Sequence, residues 1–180
     1  GEFKAQDKIL ELTQDGYYRL VNFDLSTHFD EDMIHIEKFN PKKPITAVYF
    51  DGEIQRFYLK RFMVEETDKK TLFIDEHPES YLLTINADWR PMLELEFDKK
   101  INKRDIEDEI VDCTEFIGEK SHKAKGKRLS NYAIKSVNWL ESLPHENDDV
   151  STSLNDRETL QFDSELGVTH DGKAVQGELF

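Results

Sequence analysis

Short apolar runs separated by polar turns recur from residue 8 to residue 140. They are Ile9–Thr13, Tyr17–Val21, Ile34–Phe39, Ile45–Phe50, Gln55–Val64, Thr71–Asp75, Tyr81–Asn86, Met92–Phe97, Val111–Ile117 and Tyr132–Leu140. All are rich in Ile, Val, Leu, Tyr, Phe and Thr, the side chains that suit a pleated, half-buried surface. In Leu93-Glu94-Leu95-Glu96-Phe97 the alternation is strict, so the acids face water and the apolar residues face a core. The pattern predicts an all-β protein. One segment competes: Ile106 and Ile110 sit four apart in Asn102–Asp112, which is expected to be a charged loop or one short helix.

The turns have a period. Asp15-Gly16 and Asp51-Gly52 each fall between two strand-like runs, where Asp-Gly supplies the positive φ angles of a tight hairpin. Asp88-Trp89 holds the matching place between Tyr81–Asn86 and Met92–Phe97, and Gly126 follows at the same interval. Positions 16, 52, 89 and 126 are separated by 36, 37 and 37 residues. Such a period predicts a propeller-like array of about four hairpin-based units, none of which buries its face alone.

Charge changes the picture of the chain's end. Hydrophobic residues make up 37% of the chain and charged residues 34%, which fits an ordinary domain diluted by a polar tail. Residues 141–180 hold ten acids against two bases, and their apolar residues appear singly. The expected organisation is a β-domain over residues 1–143 and an acidic, disordered tail over 144–180, with the boundary near Leu143–Glu146. The net charge of −14 argues against nucleic-acid binding until it is divided: residues 117–135 carry six bases against one acid. For a binding surface the local field matters more than the sum. The single Cys113 excludes an internal disulfide and reads as a buried small hydrophobe. No apolar run approaches the ~20 residues of a membrane span, so no membrane partner is expected. The missing initiator methionine reads as an excised fragment, with Gly1 a cloning remnant.

Catalytic patterns are not found. The six histidines show no metal-ligand spacing, no glycine-rich phosphate loop occurs, and paired acids carry no information in a chain with 38 of them. No catalytic residue, metal or cofactor is expected. The chemistry concentrates instead in His122–Tyr132, where Lys123, Lys125, Lys127 and Arg128 surround Gly126. A glycine allows close approach, so flanking backbone N–H groups and these four cations are expected to meet DNA phosphates. Lys120 and Lys135 extend the set, and Lys42, Lys43, Arg56, Lys60 and Arg61 are secondary candidates in neighbouring units. The competing reading is a solvated loop that keeps a sheet edge from pairing.

Residues 116–130, Phe-Ile-Gly-Glu-Lys-Ser-His-Lys-Ala-Lys-Gly-Lys-Arg-Leu-Ser, running into Ile134 and Trp139-Leu140-Glu141, resemble a late repeat of the Bacteroidetes-type topoisomerase IV A subunit. Residues 39–53, Phe-Asn-Pro-Lys-Lys-Pro-Ile-Thr-Ala-Val-Tyr-Phe-Asp-Gly-Glu, followed by Phe57–Phe62, resemble an earlier repeat. So do Asp7–Leu10 with Asp15-Gly16 and Asn22–Leu25. The resemblance covers most of residues 3–143. It implies a β-pinwheel, in which blades exchange strands, and a non-catalytic role in binding or bending double-stranded DNA. It further implies an upstream cleavage core that holds the cleaving tyrosine, an ATPase B subunit, and a cytoplasmic, nucleoid-associated location. The glycine-rich box Gln-Arg-Arg-Gly-Gly-Lys-Gly of the related DNA gyrase protein has at best a distant equivalent in Lys123–Arg128, so gyrase-like wrapping is not implied. About four units fit where the family has five or six blades, which reads as a compact lineage or an incomplete fragment.

Two other functions are consistent with parts of the pattern: a β-repeat protein-interaction module, which the acidic balance permits, and a hydrolase or metal enzyme, which the missing constellations disfavour. At the chain's end Gln176, Leu179 and Phe180 resemble the Gln-x-x-Leu-Phe peptides with which replication proteins engage the sliding clamp. The acidic tail is expected to restrain DNA binding by repulsion, which salt screens over ~8 Å at physiological ionic strength. Deleting residues 145–180 should tighten duplex binding most at low salt, with folding intact. Affinity and thermal melting of both forms at two salt concentrations check this, and equal low-salt affinities would refute it.

Overall fold

A computed structural model describes residues 3–24 and 26–147. The expected tail beyond residue 147, with Gln176, Leu179 and Phe180, lies outside the described residues. The strands are β1 (Lys8–Thr13), β2 (Tyr17–Asn22), β3 (Met33–Lys38), β4 (Ile45–Asp51), β5 (Arg56–Met63), β6 (Thr71–Leu72), β7 (Tyr81–Asn86), β8 (Met92–Phe97), β9 (Glu109–Asp112), β10 (Lys120–Ser121), β11 (Lys127–Arg128) and β12 (Ile134–Leu140). Single helical turns, α1 (Lys99–Asn102) and α2 (Cys113–Phe116), interrupt them. Among the described residues no helix is long and apolar enough to cross a membrane.

The strands form three sheets, and the connectivity between them is the informative part. The first sheet runs β3-β1-β2-β6, the second β10-β5-β4-β7 with β11 also on β5, and the third β12-β8-β9. Strand β6 follows β5 in sequence yet pairs with β2, with Tyr17 opposite Leu72. Strands β10 and β11 follow β9 yet pair with β5. Each of the first two sheets therefore borrows a strand from a later part of the chain, and the all-β architecture is a β-pinwheel.

Two compact units result. Among the described residues, the first holds those up to Ala87 and Ile117–Leu129; the second holds Asp88–Phe116 and those from Ser130 to Asn147. In the first unit the inward residues Leu10, Leu12, Tyr18 and Leu20 meet Ile45, Ala47, Tyr49, Tyr58, Phe62 and Leu82 in one buried cluster. Tyr18, Phe62 and Phe73 stack there with ring centroids 5.0–6.5 Å apart. In the second unit Leu93, Leu95, Phe97, Val111 and Val137 are buried, as the alternation along β8 predicts.

Two of the four expected hairpin tips join paired strands: Gly16 between β1 and β2, and Gly52 between β4 and β5. The other two do not. Asp88-Trp89 connects β7 and β8, which belong to different sheets, and Gly126 lies between β10 and β11, which both pair with β5. The regular spacing thus marks where the chain changes sheet as well as where it turns back. The expected strand Val111–Ile117 ends at Asp112, because the Asp112 carboxylate accepts from Thr114 and Glu115 amides and starts α2 there. Within the segment expected to be a charged loop or one short helix, residues 103–108 form a loop, and the helical turn α1 precedes it, where Asp98 accepts from the amides of Lys100 and Ile101 at 2.9 and 2.8 Å.

The chain beyond β12 stays packed a little further than the sequence boundary suggests. Leu143 N–H donates to the Arg90 carbonyl, and the His145 ring stacks on Trp89 at 4.6 Å and 6°. A truncation that spares this contact begins after Asn147.

Gly126 is where the returning segment comes nearest its sheet. Its φ is +89°, and a Cβ there would clash with the Leu59 carbonyl oxygen and lie 2.8 Å from Lys60 Cβ. Both the left-handed backbone and the contact demand glycine. Gly126→Ala should cost on the order of 2–4 kcal/mol, the sum of backbone strain and forced displacement. Urea unfolding midpoints measure this, and a variant as stable as wild type would show that the close approach is dispensable.

Candidate nucleic-acid interface

The basic segment is a strap laid on the outer side of β5. At one end Lys120 in β10 is opposite Phe62; at the other Lys127 and Arg128 in β11 are opposite Leu59 and Tyr58. Between them Ser121–Ala124 turns back, with Ala124 N–H donating to the Ser121 carbonyl at 3.0 Å. Lys120, Lys123, Lys125, Lys127 and Arg128 are exposed. The expectation that Gly126 admits a phosphate is revised by what occupies the space: its close neighbour is the backbone of Leu59.

Strand register sorts these cations by face. Directly opposed residues share a face, as do residues two apart on one strand. Arg128 is opposite Tyr58, Tyr58 opposite Tyr49, and Arg56 opposite Asp51. Arg56, Tyr58 and Arg128 therefore lie together on one face of the second sheet, and Lys127 lies on the other. Lys125 joins the first group: its ammonium is 5.3 Å from the centre of the Tyr58 ring and 2.7 Å from the Asp51 carboxylate. The cluster comprises three cations and one carboxylate. Arg56 is exposed, and its guanidinium donates to the Gln55 carbonyl at 2.8 Å.

Asp51 is almost inaccessible, at 1% exposure. Burial would raise its pKa, but the Lys125 ammonium and the amides of Ile54 and Glu53 outweigh burial and hold it below the usual carboxylate range. Lys125 is held at its backbone too, since Tyr49 Oη donates to its carbonyl at 2.6 Å. Sequence patterns alone do not single out Asp51, Tyr49 or Tyr58 for this site, because their roles arise from cross-strand register.

Lys60 and Arg61, expected among the surface cations, are both buried. Lys60 Nζ donates to the Phe73 carbonyl and, at 2.6 Å, to the His122 carbonyl, and it lies 5.4 Å from the Phe62 ring centre. It ties the strap to the core instead of facing a ligand. Burial pushes its ammonium down to about 8. Arg61 approaches Glu119 at 3.9 Å. His122 is buried against Tyr18, and burial lowers its pKa.

The remaining candidates are dispersed. Lys42 is exposed in the turn after Asn40, while half-buried Lys43 pairs with Glu37 at 3.3 Å. Lys135 belongs to the second unit, where it pairs with Glu96 at 2.8 Å. That unit also holds a cationic run outside the expected set: Lys99, Lys100, Lys103 and Arg104, four bases in six residues. Lys99 pairs with Asp105 at 2.8 Å, and Arg104 lies 4.4 Å over the Tyr132 ring. The signal for it in the sequence is a density of bases equal to that around Gly126. Among the described residues no group of three or more His, Cys, Asp or Glu is placed to hold a metal ion.

A family model described as the topoisomerase C-terminal domain of Bacteroidota matches residues 1–141. Among solved structures, the crystal structure of the C-terminal domain of DNA topoisomerase IV superposes with a TM-score of 0.50 at 17% identity. The match covers 78% of this chain and 49% of that one, so the chain spans about half the length of the solved domain. No curated protein matches the chain.

The buried Lys60 has a thermodynamic signature. Its folded pKa of about 8 lies below the ordinary lysine value of 10.5, so between them the unfolded chain binds a proton that the folded chain has released. Stability therefore rises with pH in that window, by at most about 1.4 kcal/mol per pH unit. Unfolding free energies from about pH 8 to about pH 10 should climb in wild type relative to Lys60→Met, and the difference in slope is the readout. Parallel profiles would show that Lys60 titrates as an exposed lysine does.

Proposed function

Because the chain belongs to the Bacteroidota topoisomerase C-terminal domain family, we propose that it is the DNA-binding and DNA-bending domain of a type II topoisomerase A subunit. The observation that carries this reading is the exchanged strap, which places Lys120, Lys123, Lys127 and Arg128 in the open along β5 and sets Arg128 beside Arg56. Cations fixed on a sheet suit phosphate contacts that position a duplex irrespective of sequence. The domain presents DNA to an upstream cleavage core, while strand cleavage and ATP turnover belong to that core and to an ATPase B subunit. It carries no active site or cofactor of its own and works in the cytoplasm at the nucleoid. Engagement of the sliding clamp through Gln176, Leu179 and Phe180 is part of the same proposal.

One observation favours the alternative of a protein-interaction module: Phe3, Phe23, Phe29, Ile34 and Ile36 are large, apolar and exposed in the first unit. Exposed patches of this kind mark protein contacts. Salt separates the two readings, because phosphate binding releases counterions and apolar docking does not.

Changing Lys123, Lys127 and Arg128 to alanine should weaken binding to every duplex alike and flatten the dependence of log K on log salt by up to ~0.9 per lost contact. Fluorescence anisotropy with two unrelated duplexes measures both quantities. An unchanged affinity and slope in the folded triple variant would remove the strap from the interface.

A further inference from the structure

The strap's most central cation, Lys125, is held at both its backbone and its ammonium. Tyr49 Oη holds the Lys125 carbonyl, and the next residue, Gly126, is pressed against the Leu59 backbone, so the main chain at 125 has little freedom. The ammonium lies 5.3 Å from the centre of the Tyr58 ring and 2.7 Å from the Asp51 carboxylate, on a side chain that is 47% exposed. That carboxylate is itself immobile: Oδ1 accepts from the amides of Glu53 and Ile54 at 3.0 and 2.9 Å, leaving Oδ2 for Lys125. A second carboxylate, Asp75, and the buried Lys60 ammonium line the same 370 Å³ cavity as Lys125.

From this geometry, and resting on the DNA-binding reading above, we infer that Asp51 determines how many phosphates the domain engages, by withholding Lys125 from the duplex. A phosphate diester reaching the Lys125 ammonium would come within a few ångströms of a fixed, water-excluded negative charge. Charges in that position are poorly screened by salt. The pair presents no net charge, so Lys125 would release no counterion on binding. The residue with the most central place in the basic segment is thus a pin for the strap, and its partner is the determinant of the binding stoichiometry.

The test measures the salt dependence of duplex binding for the full chain, using a short fluorescent duplex, in wild type, Asp51→Asn and Asp51→Asn/Lys125→Ala. Asparagine retains the oxygen that accepts the Glu53 and Ile54 amides, so the turn is preserved. Asp51→Asn should steepen the slope of log K against log salt by about 0.9, the value for one added phosphate contact. The double variant exchanges one neutral pair for another and should return to the wild-type slope. A double variant shallower than wild type by about 0.9 would show that Lys125 contacts phosphate in the native domain and would overturn the inference. So would an Asp51→Asn variant with unaltered melting and unaltered slope. Should Asp51→Asn fail to fold, Lys125→Gln in the wild-type background decides: an unaltered slope supports the inference, and a slope shallower by about 0.9 overturns it. Absence of salt-dependent binding by wild type would instead overturn the DNA-binding reading.

Discussion

The return of residues 117–129 onto β5 is the constraint on which the rest of the candidate interface depends. The chain leaves the first unit at Ala87, builds β8, α1 and β9 in the second, and comes back before completing the second unit with β12. Without that return β5 would have an unpaired edge, a row of open N–H and C=O groups that invites association with other chains. The return pairs that edge with hydrogen bonds from the same polypeptide. It also brings residues some sixty positions apart into contact, as in the donation from Lys60 to the His122 carbonyl.

Four contacts of different physical kinds hold the strap. Gly126 allows backbone to meet backbone, Lys60 satisfies buried carbonyls, Tyr49 fixes the carbonyl of Lys125, and Asp51 takes its ammonium. Buried polar groups are costly unless paired, so each of these groups has one favourable arrangement and few alternatives. A cationic segment that would otherwise sample many conformations is thereby held in one. Holding the segment reduces the ordering cost that a loose basic tail must meet on binding. Exposed Lys123, Lys127 and Arg128 inherit this order without sharing the burial.

Local pairing changes how the charge of the molecule is distributed, though not its sum. A net charge of −14 would repel a duplex if spread evenly. The first unit instead consumes many of its acids internally: Glu11 is fully buried, accepting from Arg19 and from the Asp30 amide, while Asp51 takes Lys125 and Glu37 takes Lys43. Such pairs have no long-range field of their own. What a distant phosphate would sense depends on how the exposed charges are distributed over the surface as well as on their sum.

Local sequence determined most of the strands. Alternation in Leu93–Phe97 and β-branched and aromatic runs elsewhere place β1, β2, β4, β5, β7 and β8 within a residue or so of their observed limits, because burying one face of a strand imposes a period of two on neighbouring residues. Asp15-Gly16 announces its hairpin for an equally local reason, the positive φ of a tight turn, whereas the β4–β5 turn at Asp51-Gly52 takes its left-handed residue at Gln55, φ +61°. The basic segment was legible from composition alone. The pairing of β6 with β2 and of β10 and β11 with β5 was not, since two-residue strands have no period and their partners lie far away in sequence. The same holds for individual cations. Lys60 and Lys123 look alike in a string of letters, yet one is buried and the other exposed. Which of them faces solvent is decided by the register of β5 and by the strap that covers it, and these exist only once the chain has folded back on itself.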